Sequence, residues 1–257
     1  MTDSLLDVVL EPGGLTTVFQ PIFEIDGTQR RVYSLECLTR GPAGTNIESP
    51  EVLFEYARRK RAEGPVDRAC VATALRAAAP LPGEPRLSIN VHASTLARDH
   101  EFAVFLGDAA SESGVSLDRI VVEIVEHVLP WDAPSFLNAL EGLRAVGVRI
   151  ALDDVGRGHS NYRMMLDCRP HYFKIDGYFV RGVHDDFYRR AVLESVAKLA
   201  SQFGGRVIAE AVEDEQELAT VTRLGIDLAQ GHLLARAMPA ASIVRLLGEQ
   251  LESPSPR

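Results

Sequence analysis

Residues 149–162 read RIALDDVGRGHSNY: an apolar, strand-like run ends in two adjacent carboxylates, Asp153 and Asp154, before a glycine-punctuated loop. Desolvating one unpartnered carboxylate costs roughly several kcal/mol, and two neighbours also repel each other. Other strand-like runs close on similar residues. Glu36 lies in RVYSLECLTR, Asn90 in RLSINVHA and Glu123 in RIVVEIVE. Lys174 and Asp176 close HYFKIDG, Glu210 closes RVIAEAV with Glu213 just beyond, and Gln230 lies in DLAQGHLLA. Alternation with period 2 puts Glu36, Leu38 and Arg40 on one face of their strand, and Lys174 with Asp176 on one face of theirs.

Singly, each of these groups has an ordinary alternative as a helix cap, a solvated loop residue or half of a structural ion pair. Together they imply a shared site. The carboxylates Glu36, Glu123, Asp153, Asp154, Asp176, Glu210 and Glu213 facing one mouth require cations. Hard divalent ions with oxygen ligands meet that need. There is no Cys/His cluster and no H-x-x-x-H spacing, so Mg²⁺ or Mn²⁺ suits the chain better than Zn²⁺. His92, His127 and His159 are read as rim or supporting residues. Arg40 shares the face of Glu36 and could reach the mouth as a phosphate clamp. Two divalent ions, a lysine and spare carboxylates suit in-line displacement at phosphorus, with water activated between the ions.

Such a bowl needs a scaffold whose strand ends converge. Eight strand-type runs occur, at 17–25, 31–40, 86–93, 119–126, 149–155, 171–177, 206–212 and 227–235. DGTQ joins the first two as a hairpin signal, so that pair is expected to be antiparallel. Helical patterns alternate with the remaining strands: SPEVLFEYARRKRAEG, expected to start at Ser49–Pro50 and stop at Gly64, then APSFLNALEGLRAVG, DDFYRRAVLESVAKLASQFGG and DEQELATVTRLG. The expected fold is α/β, a (β/α)8 TIM-type barrel with an antiparallel opening strand. A doubly wound open sheet is the alternative, but its G-x-G-x-x-G fingerprint is absent.

Residues 1–257 are read as one barrel domain, with a lead-in over about 1–14 and a tail over about 252–257. A net charge of −9 argues against general nucleic-acid binding or an anionic membrane surface. The opening MTDSLLDVVLEPGG has acids where a secretory leader needs basic residues, and no run reaches the ~18 apolar residues of a membrane span. Cys37, Cys70 and Cys168 form no metal or disulfide spacing, so free thiols in a reducing cytoplasm are expected.

From about Val18 to Pro239 the chain resembles the EAL-domain cyclic-di-GMP phosphodiesterases. The motifs QPI, ECLTRGP, SINV, EIVE, DDVGRGHSN, KIDGYFV, IAEAVE and QGHLLARAMP stand in that family's order. The resemblance implies hydrolysis of cyclic di-GMP to linear 5′-pGpG with two Mg²⁺ or Mn²⁺ ions, inhibition by Ca²⁺, and a homodimer. Matched by position, Glu36, Asn90, Glu123 and Asp153 would hold the first ion. Asp153 would bridge to a second, with Asp154 assisting. Lys174 would hold the attacking water, Glu210 would act as base, and Asp176 would complete the catalytic set. Gln20, Arg40, Glu213 and Gln230 match positions around the substrate, and Glu126 matches the anchor of the loop after the fifth strand.

The chain departs from the family pattern at several places. Cys37 replaces the signature alanine and is expected to face the helices. Val155, Arg157, His159 and Asn161 alter the loop associated with dimerisation and metal occupancy. Ala211 replaces a glycine and Ala237 a proline. A non-catalytic receptor for cyclic di-GMP or a protein partner is the alternative reading. A different metal-dependent barrel hydrolase would fit the carboxylates but not the ordered motifs.

Overall fold

The computed structural model describes residues 4–83, 85–125, 133–156 and 162–252. Eight strands close into a barrel in chain order: β1 (Thr16–Asp26), β2 (Gln29–Arg40), β3 (Arg86–His92), β4 (Ile120–Val125), β5 (Arg149–Val155), β6 (Tyr172–Ile175), β7 (Arg206–Ala209) and β8 (Leu228–Ala229). The expected hairpin forms, with Gly27 at φ +61° between β1 and β2. β1 is antiparallel to both β2 and β8, and every other neighbouring pair is parallel. Parallel pairing gathers the carboxyl ends of β2 to β7 at one mouth.

Eleven α-helices lie among the described residues: α1 (Leu5–Leu10), α2 (Pro50–Lys60), α3 (Glu63–Ala78), α4 (Ala93–Arg98), α5 (Phe102–Glu112), α6 (Ala133–Ala145), α7 (Tyr162–Cys168), α8 (Gly177–Val180), α9 (Phe187–Gln202), α10 (Glu215–Arg223) and α11 (Ala240–Glu252). The helix expected over 49–64 is two. Arg61 turns left-handed at φ 53°, its N–H returns to the carbonyls of Ala57 and Arg58, and α3 begins two residues later. Gly64 therefore sits in the first turn of α3 and is no stop. The last strand is shorter than its apolar run, because Gln230 donates its N–H to Ala209 and the chain then turns over Val212. The lead-in includes α1, capped by Ser4, with Val9 buried against Leu15, Ile47 and Leu53.

Alternation divides the strand side chains between two cores. Cys37, Ile89, Val122, Ile150, Leu152 and Phe173 face the helices, where the largest apolar cluster lies. Cys37 thus points as its strand position predicted. A small apolar layer of Ile22, Val121, Ala151, Tyr172, Ile208 and Leu228 fills the barrel interior. Glu123, Asp153 and Glu210 belong to the same inward set, two positions further along than Val121, Ala151 and Ile208.

Candidate active site

Lys174 comes up from β6 and is 1% exposed. Its Nζ lies 3.3 Å from Glu36 Oε1 on β2, 3.3 Å from Asp153 Oδ1 on β5 and 2.9 Å from Glu210 Oε1 after β7. It also pairs with Glu123 of β4, which is fully buried. One ammonium thus serves four carboxylates. Polar neighbours complete the layer: Gln230 Nε2 donates to Glu36 Oε2 at 2.6 Å, Asn90 Nδ2 to Glu36 Oε1 at 3.4 Å, and Ser88 Oγ to Glu123 Oε2 at 2.6 Å.

Asp153 and Asp154 are adjacent, so simple alternation would send their side chains to opposite faces. The backbone removes that conflict. The β5–β6 register shifts between Leu152 and Val155, and Asp154 adopts φ 51°. Aspartate tolerates this left-handed region better than most residues, and a bulge re-aims side chains at a strand end. In consequence, one oxygen each from Asp153, Asp154 and Glu210 lie within 4.8 Å of one another.

The electrostatics show a shortage of positive charge. Burial pushes the Glu210 carboxyl up to about 8, with Asp153 and Glu36 adding to the rise and Lys174 opposing it. Burial likewise drives Glu123 well above the ordinary carboxylate range, against the pull of Lys174. Burial also works against the charge on Glu36, but Lys174 and the amides of Gln230 and Asn90 outweigh it and hold that carboxyl low. Burial disfavours the Lys174 ammonium as well, yet the surrounding carboxylates raise its proton affinity well above normal. Hard oxygen donors in excess of cations fit a divalent ion. Gln230 Oε1 agrees with this, being buried with no hydrogen-bond partner.

Above this layer opens a cleft of about 860 Å³, lined in part by Gln20, Glu36, Asp176, Glu210, Glu213 and Gln230. Gln20 Nε2 donates to the Ala235 carbonyl at 3.1 Å. Asp176 lines the cleft but also caps α8, accepting the Tyr178 N–H at 2.8 Å. Glu213 pairs with Arg181 at 3.2 Å. Arg40 does not line this cleft, and its guanidinium donates to the Thr39 carbonyl. Glu126, His127, Arg157, His159 and Asn161 lie outside the described residues.

The sequence reading missed Ser88, which shares its inward face with Asn90, and Tyr178, Arg181, Arg189 and His232, which line the cleft. The alternation of β3 could have found Ser88. The others lie beyond the strand ends, Tyr178 in α8, Arg189 in α9 and Arg181 and His232 in turns, where strand alternation no longer applies.

Backbone packing shapes the cleft wall. Ala211 holds φ 53°, and a Cβ on Gly177 would come within 2.5 Å of the Ala211 methyl. A Cβ on Gly231 would meet the Val212 carbonyl oxygen at 2.1 Å. Glycine at 177 and 231 lets the loops after β6 and β8 close against the loop after β7.

An eight-stranded barrel with an acidic mouth and one antiparallel opening strand defines a TIM-like class of domain. Residues 4–237 match the EAL domain family, and the chain belongs to it. Over 170 residues it is 35% identical to a cyclic di-GMP phosphodiesterase of Pseudomonas aeruginosa, covering 65% of this chain and 27% of that protein. Over 220 residues it is 26% identical to the blue light- and temperature-regulated antirepressor BluF of Escherichia coli, covering 85% of this chain and 53% of that one. The chain therefore spans about half or less of these curated relatives. BlrP1 of Klebsiella pneumoniae, solved with manganese and cyclic di-GMP, superposes with a TM-score of 0.79 at 28% identity, over 90% of this chain and 58% of that chain. Its calcium and cyclic di-GMP complex superposes equally well. Among the described residues, no helix is long and apolar enough to cross a membrane.

Proposed function

We propose that this chain is a cyclic-di-GMP phosphodiesterase, hydrolysing one phosphodiester to give linear 5′-pGpG. One observation carries the reading: a single lysine amid four carboxylates, with the oxygens of Asp153, Asp154 and Glu210 clustered within 4.8 Å beside the cleft. The relatives' names and the ligands of the BlrP1 complexes support it.

Glu36, Asn90, Glu123, Asp153 and Asp154 would hold two Mg²⁺ or Mn²⁺ ions, with Glu210 at their edge. Bound there, such ions would supply Lewis acidity toward the phosphoryl oxygens and a more acidic water. Lys174 would orient the attacking water through its ammonium, and Glu210, ionised and 2.9 Å from that ammonium, would take the proton. The water oxygen bonds to phosphorus, the P–O3′ bond breaks, and the departing 3′ oxygen gains a proton. Gln20, Glu213 and Gln230 flank the bound dinucleotide in the cleft, with Asp176 fixing the turn beside it. Arg40 contributes at the outer edge. A homodimer is part of the proposal.

A second reading has one specific support, the antirepressor named among the relatives: a receptor that binds without turnover. Chromatography of cyclic di-GMP incubated with the protein separates the two. Linear dinucleotide formed with Mg²⁺ or Mn²⁺ and not with Ca²⁺ is the expected result. Calorimetric binding in Ca²⁺ with no turnover in any metal would replace the enzyme by the receptor.

A further inference from the structure

The opposite end of the barrel carries the reverse charge. The inward-facing sets of β3, β5 and β7, followed back from the acidic layer through the apolar one, begin in arginine. Arg86 precedes Ser88 and Asn90, Arg149 precedes Ala151 and Asp153, and Arg206 precedes Ile208 and Glu210. Arg119 stands one register step from Arg86, just before β4. All four are half-buried. At their centre Tyr33 and Tyr172 share a hydroxyl–hydroxyl hydrogen bond of 2.7 Å. Tyr33 reaches the interior because it is the extra residue of a β2 bulge: Ile22 pairs with Ser34 and Phe23 with Val32.

The arginines differ in how they are compensated. Arg206 has Glu24 at 2.7 Å and also Asp227, and it stacks on Tyr33 at 4.7 Å. Arg119 donates to the carbonyls of Pro82 and Pro85. Arg86 and Arg149 have no carboxylate within ion-pair distance among the described residues. Arg149 donates to the Tyr172 hydroxyl at 3.1 Å, and Arg86 stacks over Tyr33 at 5.3 Å. Asp118, fully exposed and hydrogen-bonded to Ser116, acts on Arg86 and Arg119 only at longer range. The Nε of Arg86 is buried and has no acceptor. Both guanidinium groups act electrostatically on the Tyr172 hydroxyl, so they flank one spot.

A guanidinium offers five donors, and a buried one without an acceptor carries an uncompensated desolvation cost. Arg86, with its buried Nε unpartnered, and Arg149 beside a phenol present the fork-like donor array that recognises oxyanions. We propose that Arg86 and Arg149, with Tyr172, form a binding site for a small oxyanion, a phosphate or carboxylate group, at the amino-terminal floor of the barrel. The apolar layer of Val121, Ala151 and Ile208 separates it from the acidic mouth. It stands apart from the phosphodiester chemistry and does not rest on it.

The test uses the full chain, freed of metal by chelation and titrated with inorganic phosphate in a calorimeter, sodium chloride holding ionic strength constant. Saturable binding at millimolar phosphate is expected, with a matching rise in melting temperature. Arg149→Gln should weaken binding about tenfold, the loss of one charge-assisted hydrogen bond. Arg86→Gln should do the same, which keeps the test open if one variant fails to fold. Arg181→Gln, in the cleft, should bind phosphate as the parent does. No saturable binding by the parent overturns the site. So does undiminished binding in folded Arg149→Gln and Arg86→Gln, or loss of binding in Arg181→Gln alone.

Discussion

Replacing Lys174 by methionine removes the cation from the acidic layer while keeping a long side chain. Four carboxylates then face one another: Glu36, Asp153 and Glu210, which had Nζ at 3.3, 3.3 and 2.9 Å, and the fully buried Glu123. Breaking a buried pair by removing one partner costs about 3–5 kcal/mol. The lower end applies, because Glu123 and Glu210 already hold protons strongly and can neutralise part of the repulsion. At about 2–4 °C per kcal/mol for a chain of this size, Lys174→Met in chelator should melt roughly 6–12 °C below the parent. Manganese restores the missing charge, so its stabilising shift should be larger in Lys174→Met than in the parent. Glu123→Gln tests the converse: with one anion fewer, the metal-free protein should melt no lower than the parent and should gain less from manganese. Scanning fluorimetry with and without the ion reads all three proteins. A Lys174→Met protein that melts with the parent in chelator would refute the idea that Lys174 holds the layer together. Glu123→Gln losing as much stability as Lys174→Met would refute the excess of negative charge.

Two further outcomes follow from the local geometry. Ala211 at φ 53° stores about 1–2 kcal/mol that glycine would not, offset by roughly 0.5–1 kcal/mol of extra chain entropy in the unfolded state. Ala211→Gly should therefore raise the melting temperature by up to about 6 °C, and a fall would mean the methyl packs more than it strains. His171 titrates at the far end of the barrel. Its Nδ1 accepts the Ile150 N–H at 3.0 Å, which requires an unprotonated nitrogen, and burial, reinforced by Arg144 and Arg149, holds its pKa below the ordinary value. A depressed histidine pKa leaves stability intact above about 6.5 and removes it as pH falls toward the folded-state value. Melting temperature should thus drop between pH 7 and 5 by more in the parent than in His171→Gln; equal slopes would exclude His171.

Alternation in the sequence was enough to place the acidic residues on the barrel's inner face, because parallel strands hydrogen-bonded in sequence order bring their carboxyl ends to one mouth. Height along the strand was less legible. Arg40 shares the face of Glu36 but lies four residues further, about 13 Å at strand rise, which carries it past the level of the carboxylate layer. Asp154 was placed at the mouth from its neighbour alone. The bulge and the left-handed φ that bring it there depend on β5 pairing with β6, which no local pattern encodes. Gly64 has the look of a helix stop, yet the turn is made by Arg61, which caps α2 in the left-handed conformation with its N–H on the Ala57 and Arg58 carbonyls. The eighth strand is shorter than the run at 227–235 suggests, because the chain turns after Gln230 and Leu233 donates its N–H to Val212 of a neighbouring loop.

The net charge of −9 describes the surface as a whole and conceals a polarity along the barrel axis. The runs RVYSLECLTR, RLSINVHA, RIVVEIVE, RIALDDV and RVIAEAV each open on arginine and turn acidic or polar some four residues later. In parallel strands that spacing becomes two charged levels about 13 Å apart. The layer of Ile22, Val121, Ala151, Tyr172, Ile208 and Leu228 keeps water from joining them. Across that low-dielectric gap each level must find its counter-charge locally. At the carboxyl end Lys174 is one ammonium for four carboxylates. At the amino end Glu24 and Asp227 satisfy Arg206, while Arg86 and Arg149 are left to a phenol and an anion. The same alternation that assembles an acidic site at one mouth thereby assembles its electrostatic opposite at the other.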